Sequence, residues 1–285
     1  MKVLLTGSKG QLGSCFQDRL PAGWDVWATD SDTLDITDLD KVKQAVAQYQ
    51  PDVIVNAAAY TAVDKAETEP ELAGLINATG PKNLALAAKE ACARLVHVST
   101  DYVFDGKATT PYVETDATNP LGVYGQTKLD GELAVAGVLP EAIIIRTAWV
   151  FSEYGNNFVK TMLRLAKDRD TLGIVADQHG CPTYAGDIAQ VIIDLLQKEA
   201  EGGVYHFCGD KEVAWNEFAE AIFAAALKHG ILGRVPVVNA ISTEQYPTPA
   251  ERPFYSSLNC NKLKKEGIYP SNWVSALNYI LGINK

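Results

Sequence analysis

Two short segments hold residues able to do acid–base chemistry together. Ser99-Thr100-Asp101-Tyr102 sets hydroxyls and a carboxylate side by side, and 24 residues after Thr100 stands Tyr124, which opens Tyr124-Gly125-Gln126-Thr127-Lys128. On a helix, Tyr124 and Lys128 lie on one face. A tyrosine with an ordinary pKa of about 10 is a poor proton shuttle at neutral pH. A neighbouring ammonium favours the phenolate and draws that value toward the working range. The Thr100 hydroxyl could then hold a carbonyl oxygen while Tyr124 exchanges a proton with it. A Tyr-x-x-x-Lys spacing alone is usually a surface pair, so its meaning depends on what surrounds it.

What surrounds it begins with a glycine-rich turn at the end of a strand. The first apolar strand runs into Gly7-Ser8-Lys9-Gly10-Gln11-Leu12-Gly13, a GxxGxxG loop followed by an amphipathic helix. Glycines permit a tight turn and close approach of the backbone to a pyrophosphate, and the helix N-terminus offers it free N–H groups. Asp30 stands 23 residues after Gly7, at the end of the second strand, where an acid bonds the adenosine ribose hydroxyls. Asp35 and Ile36 follow, suited to the adenine amino group and ring. The third strand ends in Asn56-Ala57-Ala58-Ala59-Tyr60, small side chains that let a ligand cross the strand end. Lys128 then has a second use, bonding the nicotinamide ribose. Asp30 disfavours the extra phosphate of NADP and Lys9 favours it, so the cofactor is NADPH or NADH.

These residues require a sheet that delivers strand ends to one edge. Short β-branched runs at 2–6, 25–29, 52–56, 95–99 and 142–147 alternate with helical patterns at 11–20, 39–48, 71–93 and 124–136. Such alternation predicts an α/β fold, a Rossmann-type doubly wound parallel sheet. Pro51 closes one helix, and Pro81 sits inside or splits another. After Trp149 the pattern loosens and prolines accumulate. The reading is a dinucleotide-binding domain over 1–150, with returns near 172–208, and a smaller, discontinuous substrate-binding cap over 151–285.

Composition narrows the class. The chain has 285 residues, enough for about two folding units. Charged residues make up 21% and hydrophobic ones 47%, a globular balance. A net charge of −10 repels nucleic acid and anionic membranes. No apolar run approaches the roughly 18 residues of a membrane span, and the N-terminus lacks a signal-peptide pattern, so a cytoplasmic location is expected. The five cysteines are scattered, without a CxxC pair, and read as reduced core thiols. His97, His179, His206 and His229 form no metal cluster, so no metal is expected. Trp215 and Phe218, at helical spacing, read as cap core.

With these motifs in order, the chain resembles the extended short-chain dehydrogenase/reductases, and within them the rhamnose-forming branch. The resemblance covers nearly the whole length. It rests on Met1 through Gly7, on Asp52 through Glu67 with its Tyr60-Thr61-Ala62-Val63-Asp64, and on Ser99 through Gly106. It continues in Tyr124 through Glu132, Arg146-Thr147-Ala148-Trp149, Gly155-Asn156-Asn157-Phe158-Val159, Arg252-Pro253 and Ser257-Leu258. The resemblance implies reduction of the C4 ketone of dTDP-4-dehydro-L-rhamnose to dTDP-L-rhamnose, the last step in making that activated sugar. It implies Tyr124 as proton donor, with Thr100 and Lys128 as its catalytic partners. Cofactor contacts would come from Gly7, Gly10, Gln11, Leu12, Gly13, Asp30, Asp35, Ile36, Ala58, Ala59, Tyr60, Thr61, Tyr124 and Lys128. Thr100, Asp101, Tyr102 and Trp149 would contact the sugar, Trp149 through a flat apolar face. Asn157, Lys160 and Arg252 are the candidates for the nucleotide diphosphate.

Two other readings share the framework. A sugar-nucleotide dehydratase or epimerase has the same fold, but dehydratases carry an Asp-Glu pair after the Thr, where this chain has Asp101-Tyr102. A regulatory subunit resembling the β subunit of methionine adenosyltransferase would lack Trp149. Relatives that link subunits through magnesium use an acid just after the glycine loop, where this chain has Ser14-Cys15, so a monomer or weak homodimer is expected.

Overall fold

The structure is a computed structural model and describes residues 1–283. The apolar runs become strands because neighbouring residues point to opposite faces and both faces are covered. In Lys2–Thr6 (β1), Val3 and Leu5 enter one core while Leu4 enters the other. The remaining central strands are Asp25–Ala28 (β2), Val53–Asn56 (β3), Arg94–Thr100 (β4), Ile143–Thr147 (β5) and Gly203–His206. They pair in parallel in the order Gly203–His206, β5, β4, β3, β1, β2. The order in which successive strands are added reverses between β1 and β3, the point where such sheets open a ligand crevice at their carboxyl ends.

Gln11–Asp18 (α1), Leu39–Tyr49 (α2), Val63–Ala66 (α3), Pro70–Gly74 (α4), Gly80–Glu90 (α5) and Val123–Val138 (α6) follow in order, then Phe158–Asp168 (α7), Ala185–Gln197 (α8) and Trp215–Lys228 (α9). Phe16 of α1 and Ile188 and Ile192 of α8 pack on Val3, Val55 and Ile145. Val42 of α2, Leu84 of α5 and Val135 of α6 cover Leu4, Ile54 and Ile144 on the opposite face. The helix expected over 71–93 is interrupted. Leu75–Thr79 forms a π-helical turn between α4 and α5. Pro81 lacks the N–H that would bond the Asn77 carbonyl, and its ring would press on it, so the turn widens there.

Of the return expected over 172–208, α8 and Gly203–His206 lie on the central sheet. Thr171–Val175 instead pairs with Val237–Ile241 in a separate two-stranded sheet. That ribbon, α7, α9 and Trp273–Ile283 enclose another core around Phe151, Phe218, Phe223 and Leu277. Four cysteines are buried, whereas Cys92 is exposed. Among the described residues no helix is long and apolar enough to cross a membrane, and no His/Cys/Asp/Glu group could hold a metal ion.

Candidate active site

A cleft of about 1040 Å³ runs across the carboxyl ends of the central strands. At one end the glycine loop turns tightly onto the sheet. Gly7 has φ +69°, and a Cβ there would meet the Ala58 nitrogen at 2.6 Å. A Cβ at Gly13 would lie 2.2 Å from the Gly7 carbonyl oxygen, so Gly13 serves the packing of α1 rather than the cleft wall. Gly10 caps α1 without a side-chain hydrogen bond, and its first turn holds no acidic residue. Its N–H groups are therefore available to an anion. Asp30 accepts the Lys9 N–H (3.0 Å) and the Ser31 N–H (2.8 Å), closing the loop against the end of β2. Lys9 itself pairs with Asp32. Asp35, Ile36, Ala58, Ala59 and Thr61 line the same wall. Tyr60 turns away, its hydroxyl donating to Glu69 at 2.6 Å. A cradle without side chains, an unblocked helix N-terminus and an acid at the second strand fit a dinucleotide.

At the other end β4 delivers Thr100 and Asp101, and α6 delivers Tyr124 and Lys128. The Thr100 hydroxyl donates to Asp101 Oδ1 (3.0 Å) and accepts the Tyr102 N–H (3.2 Å). Asp101 is buried, and its Oδ2 has no hydrogen-bond partner. Burial pushes its carboxyl up to about 6, against the hydrogen bond from the Thr100 hydroxyl. Tyr124 is pushed up to about 12 by burial, against a hydrogen bond with Thr100 and with the help of the Asp101 charge. Lys128 was expected to draw the Tyr124 pKa down toward the working range, but burial, Thr100 and Asp101 set that pKa and Lys128 is not among its causes. Lys128 is itself lowered to about 8 by burial, opposed by the Glu132 charge. Its ammonium donates to the Val98 carbonyl at 2.6 Å. Tyr102 packs edge-on against Tyr124, ring centroids 5.5 Å apart at 77°. Thr147 pairs in register with Thr100 and lines the cleft with an unpartnered hydroxyl, a position the sequence reading did not single out.

The helix bearing Tyr124 and Lys128 is seated by residues outside the cleft floor. Its N-cap, Gly122, has no side chain, and Glu67 takes over by accepting the Val123 N–H at 2.9 Å. Asn77, presented by the π turn, donates to Thr127 Oγ1 (3.2 Å) and holds the Tyr60 backbone. Gly131 lets α6 press on that turn, since a Cβ would meet the Asn77 carbonyl oxygen at 2.1 Å. Replacing Glu67 by Ala is expected to cost about 1 kcal/mol, as loss of a cap and of an anion at a helix N-terminus. Calorimetry should then show Tm lower by about 2 °C.

Over the cleft, Trp149 adopts φ +47°, a left-handed conformation unusual for a bulky side chain. Its ring stacks on Trp215, centroids 3.4 Å apart at 6°, and its edge crowds Gly180, where a Cβ would lie 2.6 Å away. Trp149 therefore shares its face with a second indole rather than presenting it alone. Phe218 is buried as cap core, but Trp215, at the first residue of α9, lines the cleft. Helical spacing cannot distinguish these two, because both follow one amphipathic stripe. Asn157 lines the cleft as the cap of α7, accepting the Lys160 N–H and donating to Gln11 Oε1 (2.9 Å). Lys160 and Arg252 are not among the cleft-lining residues. Lys160 donates to the Gly155 carbonyl (2.8 Å), and Arg252 pairs with Asp64 (2.8 Å).

Known proteins resemble this chain in sequence and in fold. A protein-family model described as RmlD substrate binding domain matches residues 1–284. The chain is 49% identical to a dTDP-4-dehydrorhamnose reductase of Aggregatibacter actinomycetemcomitans, covering 98% of each. It is 46% identical to the Salmonella typhimurium enzyme of that name, covering 93% of this chain and 91% of the other. Among solved structures, a dTDP-4-dehydrorhamnose reductase from Clostridium acetobutylicum superposes with TM-score 0.94 at 41% identity, over 100% of this chain and 99% of that one. One from Bacillus anthracis, in complex with NADP, gives 0.93 at 39% over the same shares. Epimerase and dehydratase structures at 20–22% identity share the fold. With a Rossmann-type parallel sheet, a family model matching residues 1–284 and relatives 46–49% identical over more than nine-tenths of each chain, the chain belongs to the RmlD substrate binding domain family.

Proposed function

We propose that this protein reduces the C4 ketone of dTDP-4-dehydro-L-rhamnose to dTDP-L-rhamnose with NADPH or NADH. The observation that carries this reading is the convergence of Thr100, Tyr124 and Lys128 in the cleft that also holds the glycine loop and Asp30. A reduced nicotinamide bound along that cleft supplies the hydride. Tyr124, kept neutral by burial, gives its phenolic proton to the oxygen that becomes the C4 hydroxyl. Thr100 holds that oxygen, and Lys128 stabilises the phenolate left behind. Asp101 Oδ2 takes a sugar hydroxyl, and the indoles of Trp149 and Trp215 flank the deoxyhexose. Tyr102 packs on Tyr124 where a dehydratase carries a carboxylate, which supports reduction over elimination. Asn157, Lys160 and Arg252 are assigned to the diphosphate, Lys160 and Arg252 on leaving their present protein partners. In this reading residues 1–150 with the later sheet return serve the cofactor and the remainder serves the sugar. The enzyme works in the cytoplasm as a monomer or weak homodimer, on a dTDP-sugar and not on nucleic acid or membrane.

The test is oxidation of NADPH, and separately NADH, by purified protein given dTDP-4-dehydro-L-rhamnose made in place by the preceding dehydratase and epimerase, with the sugar product identified. Substrate-dependent turnover yielding dTDP-L-rhamnose is expected. No turnover with either cofactor despite nucleotide binding would overturn the assignment.

A further inference from the structure

Tyr124, Lys128 and Glu132 recur at one-turn spacing along α6, yet only the first two have a role in the chemistry above. Glu132 is 3% exposed, and its partner Arg146 on β5 is 5% exposed. The contact is bidentate, Arg146 Nε to Oε1 at 3.0 Å and Nη2 to Oε2 at 2.7 Å. Oε1 also accepts the Ser99 hydroxyl. Ser99, Arg146 and His206 lie in one row across β4, β5 and Gly203–His206, one residue before the Thr100 and Thr147 row. His206 Nδ1 lies 3.0 Å from the Tyr112 carbonyl. A carbonyl only accepts, so Nδ1 carries the hydrogen and Nε2 accepts from Arg146 Nη1 at 3.4 Å. Burial, and then the Arg146 charge, lower the His206 pKa to about 3, keeping the ring neutral. The guanidinium carbon also sits 5.1 Å over the Phe104 ring.

Stability alone does not account for this row, because a buried ion pair is commonly matched or exceeded by apolar residues of similar volume. Its location does account for it. The row ties the helix that carries the proton donor to the strand that carries Thr100. We propose that the Glu132–Arg146 pair is a positioning device for the reductive site: it registers α6 against β4 and fixes a carboxylate one helical turn from Lys128. This rests on the reductase reading. Facing Lys128 are Tyr124 and Glu132, each one turn away on α6, and neutral His97 and the Val98 carbonyl on β4. Of these, Glu132 is the negative charge that opposes the desolvation of Lys128.

Wild-type protein is assayed first. If it fails to reduce the ketone, the reductase reading falls and not this inference. With wild-type turnover in hand, Glu132→Gln is expected to move the alkaline limb of kcat/KM down by ~1 pH unit. The pH at which NADPH affinity weakens, followed by cofactor fluorescence, should fall with it. Glu132→Asp, which keeps the charge, should return both to the wild-type position even if kcat is lower. A Gln variant with an unmoved limb, or an Asp variant displaced as far as Gln, would overturn the proposal. Should Glu132→Gln not fold, the Glu132→Met/Arg146→Met double variant replaces the pair with apolar volume. Its limb is expected below the wild-type position, and an unmoved limb counts against the proposal equally.

Discussion

Tyr124→Phe is expected to lower kcat by about 10³-fold, as removal of a general acid does. The phenol is the only group in the reading that delivers a proton to the C4 oxygen, and Phe keeps the ring against Tyr102. The missing contact forms fully only as negative charge develops on that oxygen, so kcat and kcat/KM should fall together while KM for the sugar nucleotide changes little. Steady-state kinetics at saturating NADPH distinguish these parameters. A rise in KM with kcat intact would assign Tyr124 to binding and remove it as donor. The pH dependence follows from the same groups. Tyr124 stays protonated throughout the neutral range, whereas Lys128 loses its proton as pH rises through about 8. Wild-type kcat/KM should therefore decline above that pH, and a Lys128→Met variant should show a low, flat profile there.

Asp101→Asn should have two opposed effects. The carboxylate is buried with one oxygen unpartnered, and its pKa is raised from 3.8 to about 6. A raised carboxyl favours the folded state while protonated. That contribution is complete below the unfolded pKa and is lost as pH rises through the folded one. Near neutral pH the wild type thus holds an ionised carboxylate in an unfavourable place, and Asn removes the charge while still accepting from Thr100. The variant should be more stable by about 2 kcal/mol at pH 8, with the difference vanishing near pH 4. A charge-assisted hydrogen bond to the sugar is lost at the same time, so kcat/KM should fall roughly 10- to 100-fold. Melting curves across pH, paired with kinetics, check both. A variant less stable than wild type at pH 8 would show that the carboxylate's burial is not a cost the fold carries for binding.

What was legible in the sequence is what repeats or turns locally. Short β-branched runs and helical periods marked the sheet strands and the helix of Tyr124 to within a few residues, because each depends on neighbours close by in the chain. The glycine loop followed from backbone limits that only glycine escapes, and Tyr124 and Lys128 from one helical turn. The π turn at Leu75–Thr79 already exceeded such rules, since Pro81 acts on a carbonyl whose other contacts come from α6. Tertiary structure alone decided the rest. Trp149 and Trp215 stack although they belong to different elements, and spacing had grouped Trp215 with the buried Phe218. Lys160 and Arg252 were singled out by charge, but their partners, the Gly155 carbonyl and Asp64, set where they point. Glu132 meets Arg146 and Ser99 only because α6 lies across β4 and β5. Charge states were equally hidden, for desolvation sets Asp101, Tyr124 and Lys128, and desolvation depends on every atom packed around a group rather than on its neighbours in the chain.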